Sequence, residues 1–260
     1  MSTCTTIRKI LLGLALGALW TAAQAAAYTY RIPVPALTVS SNAPTAPTQY
    51  ALNFPGGSSD AVAMGPLSNI DFSNGFSVLV DFYPTGITSV YGSMLFNKED
   101  TFEVTLMPQY ELEYAVNCTS SITWTWVDTG VAVPPNQWAS VAMSYVSSTG
   151  AVAFALNGNT IYQGTACSGV YPQNTQATLG NRTHNSPQPF EGKMKRFALW
   201  NAPVPGSALT NLTAGASVTG YTKGLQVYYP FTEGAGAALS DQSGNGNNGT
   251  LQGSVTWTTP

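Results

Sequence analysis

The sequence predicts an all-β fold, a two-sheet antiparallel β-sandwich of the jelly-roll type. Apolar and polar residues alternate in short runs, and glycine, proline and asparagine separate the runs. One such run would place four apolar residues on a single strand face: Phe76, Val78, Val80 and Phe82. Many short strands with regularly spaced turns are typical of sandwiches and jelly rolls.

Local turn and helix patterns support this fold class. Asn157-Gly158 follows an alternating run, and both residue types tolerate the positive φ of a tight hairpin turn. Beyond the first 25 residues, no window keeps a helical period over three turns. The one hint of a helix is a turn at 207–214, after Pro203 and Pro205.

The first 25 residues have the pattern of a secretory signal peptide. Arg8 and Lys9 precede a short apolar run at 10–19, and Ala23-Gln24-Ala25 offers small residues for cleavage before Ala26. The mature protein is therefore expected to be secreted, in an extracellular or periplasmic space. The apolar run is too short for a resident membrane helix and no comparable run follows, so we expect no transmembrane segment.

The remaining chain divides into an arm and one domain. Residues 26–48 carry four prolines and predict an extended, proline-rich arm. Residues 49–260 have a length and pattern that suit a single sandwich rather than two domains. Within that domain, 224–260 is expected to be a strand and turn segment that completes the sandwich.

The cysteines predict one disulfide. Cys4 would leave with the signal peptide, so the mature chain would keep Cys118 and Cys167 in an oxidising compartment. The alternative is a pair of free thiols used for a metal or for catalysis. Without a C-x-x-C motif, and with one histidine in the chain, the sequence offers such a site few partners.

The charge balance argues against a nucleic acid partner. The chain has nine basic and twelve acidic residues, and loss of Arg8 and Lys9 would leave seven basic residues and a net charge of −5. No basic patch is present that could neutralise phosphates.

Three segments resemble laminin-G-like modules of the concanavalin A-like lectin/glucanase superfamily. Residues 224–251 resemble a strand and Asn/Gly-rich turn of these modules, 49–62 a first core strand and turn, and 137–159 a central hairpin. The resemblance implies a concanavalin A-like sandwich that often binds glycans. It leaves open whether such a sandwich serves a lectin, an adhesive module or a glycanase.

The chain departs from these modules at two places. The segment resembling 227–231 usually comes before the strand resembling 50–54, whereas here it comes last, which suggests a permuted arrangement. At the late strand near 190–201, many relatives carry an acidic pair where this chain has Lys195 and Arg196.

Glu111 and Glu113 are the candidate carboxylate pair for catalysis. Residues two apart on a strand share a face and lie roughly 6.5–7 Å apart, a spacing that overlaps an inverting glycosidase pair. The alternative is the solvated face of a strand. The Glu-x-Asp-x-x-Glu strand that resemblance to the retaining glucanases would require is absent.

Two groups of residues are candidates for carbohydrate binding. Trp124 and Trp126 share a strand face and could stack on a sugar ring, or both could fill the core. The polar loop that contains Asn181, Arg182 and His184 could line a ligand site. His184 is the single histidine, which excludes the common zinc sites.

Calcium is the one cofactor that the sequence suggests. Asp60 follows a Gly-Gly-Ser-Ser turn, and Asp241 opens a turn that contains Asn245, so both turns offer oxygen ligands. Laminin-G-like modules, which this chain resembles, often hold calcium at a rim. The alternative is that these turns are closed by side-chain hydrogen bonds to the backbone.

The sequence thus favours a secreted, non-catalytic recognition module for a glycan or surface polysaccharide. The alternatives are a glycan-cleaving enzyme that uses Glu111 and Glu113, and a structural or adhesive protein that binds protein partners. For the core, we expect Trp138, Val141 and Met143, or their strand neighbours, to anchor the sandwich interior.

Overall fold

A computed structural model describes residues 48–119, 124–171, 173–182 and 186–260. The predicted signal peptide at 1–25, nearly all of the arm at 26–48, and His184 lie outside these residues. The described residues form sixteen β-strands, one α-helix and one 3-10 turn. The described part of the chain has no helix that is both long and apolar enough to cross a membrane.

The elements follow one another in this order: β1 (Ala51–Pro55), β2 (Ala61–Gly65), β3 (Gly75–Ile87), β4 (Ser93–Lys98), β5 (Phe102–Leu106), β6 (Glu111–Asn117), β7 (Trp124–Ala132), β8 (Ala139–Val146), β9 (Ala151–Leu156), β10 (Asn159–Thr165), β11 (Ala177–Leu179), β12 (Phe190–Trp200), α1 (Gly206–Thr213), the 3-10 turn (Val218–Gly220), β13 (Leu225–Tyr229), β14 (Ala238–Leu239), β15 (Gly249–Gln252) and β16 (Thr256–Thr258).

The strands form two antiparallel sheets. Sheet A has the order β10-β9-β8-β3-β12-β1-β16, with β13 also paired to β12. Sheet B has the order β14-β15-β2-β11-β4-β5-β6-β7. The two sheets pack face to face around one large apolar core, which confirms the predicted jelly-roll sandwich.

The core follows the alternation that the sequence predicts. On β3, Phe76 and Phe82 are fully buried, and the two valines between them are nearly so. The ring of Phe76 stacks on that of Phe102 in sheet B, with 3.6 Å between ring centroids. The predicted hairpin turn is also present, with Asn157 at φ 47° and Gly158 at φ 83° between β9 and β10.

The prediction for Trp138 is wrong, whereas Val141 and Met143 are buried in the core as expected. Successive residues of a strand point to opposite faces, so Trp138 cannot share a face with Val141, three residues later. Trp138 instead lies on the outer face of sheet A, where the Lys195 ammonium is 4.2 Å from its ring centroid.

Helix α1 covers part of the outer face of sheet A. Its Leu209 and Leu212 pack with Trp200 in a second, smaller apolar cluster. Beside this cluster, Arg196 and Asp81 form a buried ion pair with Nε–Oδ2 at 2.8 Å. The Arg196 guanidinium also donates to the carbonyl of Leu212, so it ties the end of α1 to the sheet.

The segment 224–260 contributes to both sheets. Strand β13 pairs with β12 in sheet A, and β16 pairs with β1. Strand β15 pairs with β2 in sheet B. The Trp257 ring packs edge-on against Phe231, with 6.4 Å between ring centroids.

The predicted disulfide between Cys118 and Cys167 is confirmed, with 5.9 Å between the two Cα atoms. Cys118 follows β6 of sheet B and Cys167 follows β10 of sheet A, so the bond links the two sheets. In the chain-entropy model, closing a loop with a sequence separation of 49 stabilises the fold by about 4 kcal/mol.

Candidate functional site

The outer face of sheet B carries a row of side chains that crosses five strands. Register places Thr178, Asn97, Glu103, Ala115 and Trp126 opposite one another on β11, β4, β5, β6 and β7. Residues directly opposite in an antiparallel sheet share a face. Since the neighbouring residues of these strands fill the core, this row points away from it.

A parallel row runs beside it, with Thr105, Glu113 and Asp128 opposite one another on β5, β6 and β7. A groove of about 360 Å³ opens over this part of the sheet. The groove is lined by Tyr91, Met107, Glu113, Trp126, Arg182, Ser186 and Gln188.

Two exposed aromatic rings line the groove. The exposed fraction is 46% for Trp126 and 67% for Tyr91. The ring of Trp124 lies 5.6 Å from that of Trp126 at an angle of 30°. Trp126 does not fill the core, so that interpretation is wrong for it, and its indole remains available to a ligand.

Arg182 forms a wall of the groove and pairs with Glu99. Its Nη2 lies 2.8 Å from Glu99 Oε1, and its Nε donates to both carboxylate oxygens at 3.1 Å. These bonds to Glu99 raise the pKa of the Arg182 guanidinium. Asn97 also donates to Glu99, at 2.9 Å, so the arginine is held in one position by a buried acid.

Asn181 was a candidate ligand contact, and the structure gives it another role. Its side chain is fully buried, donates to the carbonyl of Ser58 and accepts a bond from the Gln188 backbone N–H. The prediction of direct ligand contact is therefore wrong for Asn181. Its side chain positions the backbone of Gln188, which lines the groove, and Asn181 directly precedes Arg182 in the chain.

The buried side chains of Gln188, Glu103 and Asn97 at this face have acceptor oxygens without a partner among the described residues. Gln188 lines the groove, is 6% exposed, and its Oε1 accepts no hydrogen bond. Glu103, in the row beneath, is 1% exposed and neither carboxylate oxygen accepts one. Burial raises the pKa of Glu103 to about 8.

Glu113 lines the groove, and Glu111 shares its strand face near the end of β6. Burial, and then the nearby Asp128, raises the pKa of Glu113. The same Asp128 is the main cause that raises the pKa of Glu111. Like charges therefore crowd this end of the sheet.

The candidate calcium ligands are already engaged within the protein. The Asp60 carboxylate accepts bonds from the backbone N–H groups of Gly57 and Ser254. The Asp241 carboxylate accepts from three backbone N–H groups and one hydroxyl, and Asn245 donates to backbone carbonyls. The carboxylate oxygens of Asp60 and Asp241 therefore serve the turns, and the calcium site stays a prediction. In the described part of the chain, no group of three or more His, Cys, Asp or Glu side chains could hold a metal.

Solved structures with similar folds include several proteins whose names refer to carbohydrates. A candidate carbohydrate-binding protein from Bacteroides ovatus is 17% identical with a TM-score of 0.63; the alignment covers 82% of this chain and 60% of that one. The CBM40 of Ruminococcus gnavus IT-sialidase bound to sialyllactose is 15% identical with a TM-score of 0.44, covering 54% and 83%. Domain 4 of AbnA, an arabinanase from Geobacillus stearothermophilus, in complex with arabinotriose, is 25% identical with a TM-score of 0.42, covering 54% and 67%.

The similarity to the Bacteroides protein extends over the fold, and this chain spans 60% of the length of that protein. No curated protein matches the chain significantly. The Laminin_G_3 family, described as concanavalin A-like lectin/glucanases superfamily, matches residues 56–208, which is more than half of the chain. The chain belongs to this laminin-G-like family of the concanavalin A-like lectin/glucanase superfamily.

Proposed function

We propose that this protein is a secreted, non-catalytic recognition module that binds a glycan in the groove on the outer face of sheet B. The observation that carries the proposal is the pair of exposed rings, Tyr91 and Trp126, beside fixed polar groups in one groove. Ligand sites commonly combine aromatic walls with a few well-placed polar groups.

The groove suits the chemistry of a sugar ring. The C–H face of a pyranose is apolar and can lie flat on an indole or phenol ring. Sugar hydroxyls both donate and accept, so they can bond to the Gln188 oxygen and to the Arg182 guanidinium. Because the Glu99 pair fixes Arg182, little side-chain entropy would be lost on binding.

Two features support a role without catalysis. The Glu-x-Asp-x-x-Glu strand of the retaining glucanases is missing from the sequence. Of the alternative pair, Glu113 lines the groove whereas Glu111 does not. An enzyme that used both would need them on either side of the bound sugar.

Secretion is part of the same proposal. The basic start, apolar run and small-residue end of the first 25 residues support export, and the Cys118–Cys167 disulfide suits an oxidising compartment. Amino-terminal sequencing of the exported protein should begin at Ala26, after the signal peptide. A start at Met1 would contradict this.

The function is tested by glycan binding to the exported protein and to three variants. Trp126→Ala and Tyr91→Ala should each weaken binding by about tenfold or more, because each removes a stacking surface at a hot spot. Tyr171→Ala is the matched control, since Tyr171 is as exposed as Trp126 but lies outside the groove. All three variants should keep the thermal midpoint of the parent, because exposed side chains contribute little to stability.

The result that would overturn the proposal is equal binding by the parent and both groove variants. Release of reducing ends that Glu113→Gln stops would instead establish the glycan-cleaving alternative. The calcium prediction is checked in the same assay by adding a chelator. Binding lost to chelator and restored by calcium would support it.

A further inference from the structure

The groove on sheet B is acidic. Glu113 forms its wall, Asp128 lies opposite Glu113 on β7, and Glu111 is on the same face of β6. Asp128 is the main cause that raises the pKa of Glu111, and it adds to burial in raising the pKa of Glu113. Any further negative charge that entered the groove would meet the same repulsion.

The one basic side chain that lines the groove, among the described residues, does not balance this charge. Arg182 already faces the carboxylate of Glu99, and Asp100 acts on it as well. The nearby Lys98 is directed elsewhere, to the carbonyls of Gln173 and Thr175. An anionic ligand would therefore meet no uncommitted cation among the described residues of the groove.

The groove also contains a buried hydrogen-bond acceptor that has no donor among the described residues. The Oε1 of Gln188 is buried in the groove lining and accepts no bond within the described chain. The backbone of Gln188 is fixed at both ends, because its N–H donates to Asn181 and its carbonyl accepts from Met94. A buried acceptor without a donor costs free energy that a ligand hydroxyl or ammonium would recover.

We infer that the groove selects glycans without anionic groups, namely neutral or amine-bearing sugars, and discriminates against uronate, sialyl and sulfated ones. This inference rests on the proposed function, and it adds the class of sugar. A hydroxyl or an ammonium can donate to Gln188 and Glu113, while a carboxylate in the same place would face Glu113 and Asp128.

The test uses the exported protein against matched pairs of glycans that differ in charge alone. The pairs are a β-1,4-glucan oligomer and its C6-oxidised form, polygalacturonate and its carboxyl-reduced form, and lactose and 3′-sialyllactose; a β-1,4-glucosamine oligomer supplies the amine. Wherever one pair member binds, the anionic member should bind at least about tenfold more weakly, because like charges that are placed together repel each other. The outcomes separate the two proposals. An anionic member that binds as well as its neutral counterpart overturns this inference and leaves glycan recognition standing. Failure of every probe and of a broad glycan array overturns both.

A charge-neutralising variant tests the physical origin of the selection. Glu113→Gln keeps the shape of the side chain and removes one charge. It should therefore reduce the ratio of affinities for neutral and anionic probes severalfold. Glu191→Gln removes the same charge from β12 in sheet A and should leave that ratio unchanged. If the ratio of affinities for neutral and anionic probes is the same in Glu113→Gln and Glu191→Gln, selection by the groove carboxylates is contradicted.

Discussion

The outer faces of the two sheets each hold an arginine–carboxylate pair, and the two pairs have opposite surroundings. On sheet A, Arg196 binds Asp81 through two oxygens and donates further to the carbonyls of Leu212 and Ala216. On sheet B, Arg182 binds Glu99 with similar geometry, but its side chain is 19% exposed and borders an open groove.

The difference follows from what covers each face. Helix α1 lies over sheet A, and the carbonyl of its Leu212 accepts a hydrogen bond from the Arg196 guanidinium. On sheet B, the acceptors of Gln188, Glu103 and Asn97 have no partner among the described residues. Hydrogen bonds in a buried polar network stabilise a fold, whereas a buried acceptor without a donor costs free energy that a ligand donor can recover. We therefore assign the sheet A pair to stability and propose the sheet B face for recognition.

The largest effect should come from removing strands from both sheets at once. Deletion of 224–260 takes β13 from β12 and β15 from β2, and it exposes the faces of the core that these strands cover. We expect the shortened chain to lose its cooperative thermal transition and its fixed side-chain signals by near-ultraviolet circular dichroism.

The control for this deletion is removal of 259–260 alone, which lie after β16 and should leave the transition in place. A stable, cooperatively folded chain that ends before 224 would show that the segment is an appendage. In that case the permuted arrangement would be an incorrect description of the domain.

The next largest effect should be the loss of stability on breaking the Arg196–Asp81 ion pair of sheet A. Arg196→Ala should lower the free energy of unfolding by about 3–5 kcal/mol, because it leaves the buried Asp81 without its partner. Urea denaturation measures this change. Glycan binding per folded molecule should be unaffected, because Arg196 lies on the other sheet from the groove.

Two variants sharpen this test. Lys195→Ala removes a neighbouring cation that lies over the Trp138 ring and should cost about 1 kcal/mol or less. The double change Asp81→Leu with Arg196→Met should regain most of the loss, because it removes both charges together. An Arg196→Ala protein with an unchanged unfolding free energy would contradict the structural role of this pair.

Local sequence patterns were sufficient to predict much of the fold. The β3 alternation, the Asn157-Gly158 turn and the two remaining cysteines each depend on a short-range pattern or on parity, and each prediction is confirmed. The prediction that Trp138 is buried in the core was wrong for a local reason too, because its odd spacing from Val141 places the two residues on opposite faces of the strand. The sequence shows that Arg196 stands where many relatives carry an acidic residue. Its partner Asp81 is 115 residues away, so a local pattern does not predict the ion pair.

The site was harder to predict because it depends on which strands become neighbours. Trp126 and Arg182 were among the candidates, but Tyr91 was missed because it is a single aromatic residue in a turn without periodicity. Glu103 alternates with the core residues Phe102 and Val104, so the sequence could indicate that it faces outward. Its burial on that outer face depends on residues distant in the chain, which no local pattern reveals.

The sharpest test for sheet B is a dependence of stability on pH that Glu103 causes. Burial raises the pKa of this carboxyl from 4.5 to about 8, so the folded protein holds the proton more tightly than the unfolded chain does. The stability that this group contributes is therefore complete below pH 4.5 and is lost as the pH rises through about 8. Glu103→Gln keeps a neutral side chain at every pH, so the variant should match the parent near pH 4.5 and exceed it at pH 8.5. Each unit of pKa difference corresponds to about 1.4 kcal/mol, and thermal midpoints measured across this range resolve such a change. Glu191→Gln, on sheet A, should follow the parent throughout. Parallel pH profiles for the parent and Glu103→Gln would mean that Glu103 is ionised in the folded protein, and the outer face of sheet B would then carry one more charge than we assign to it.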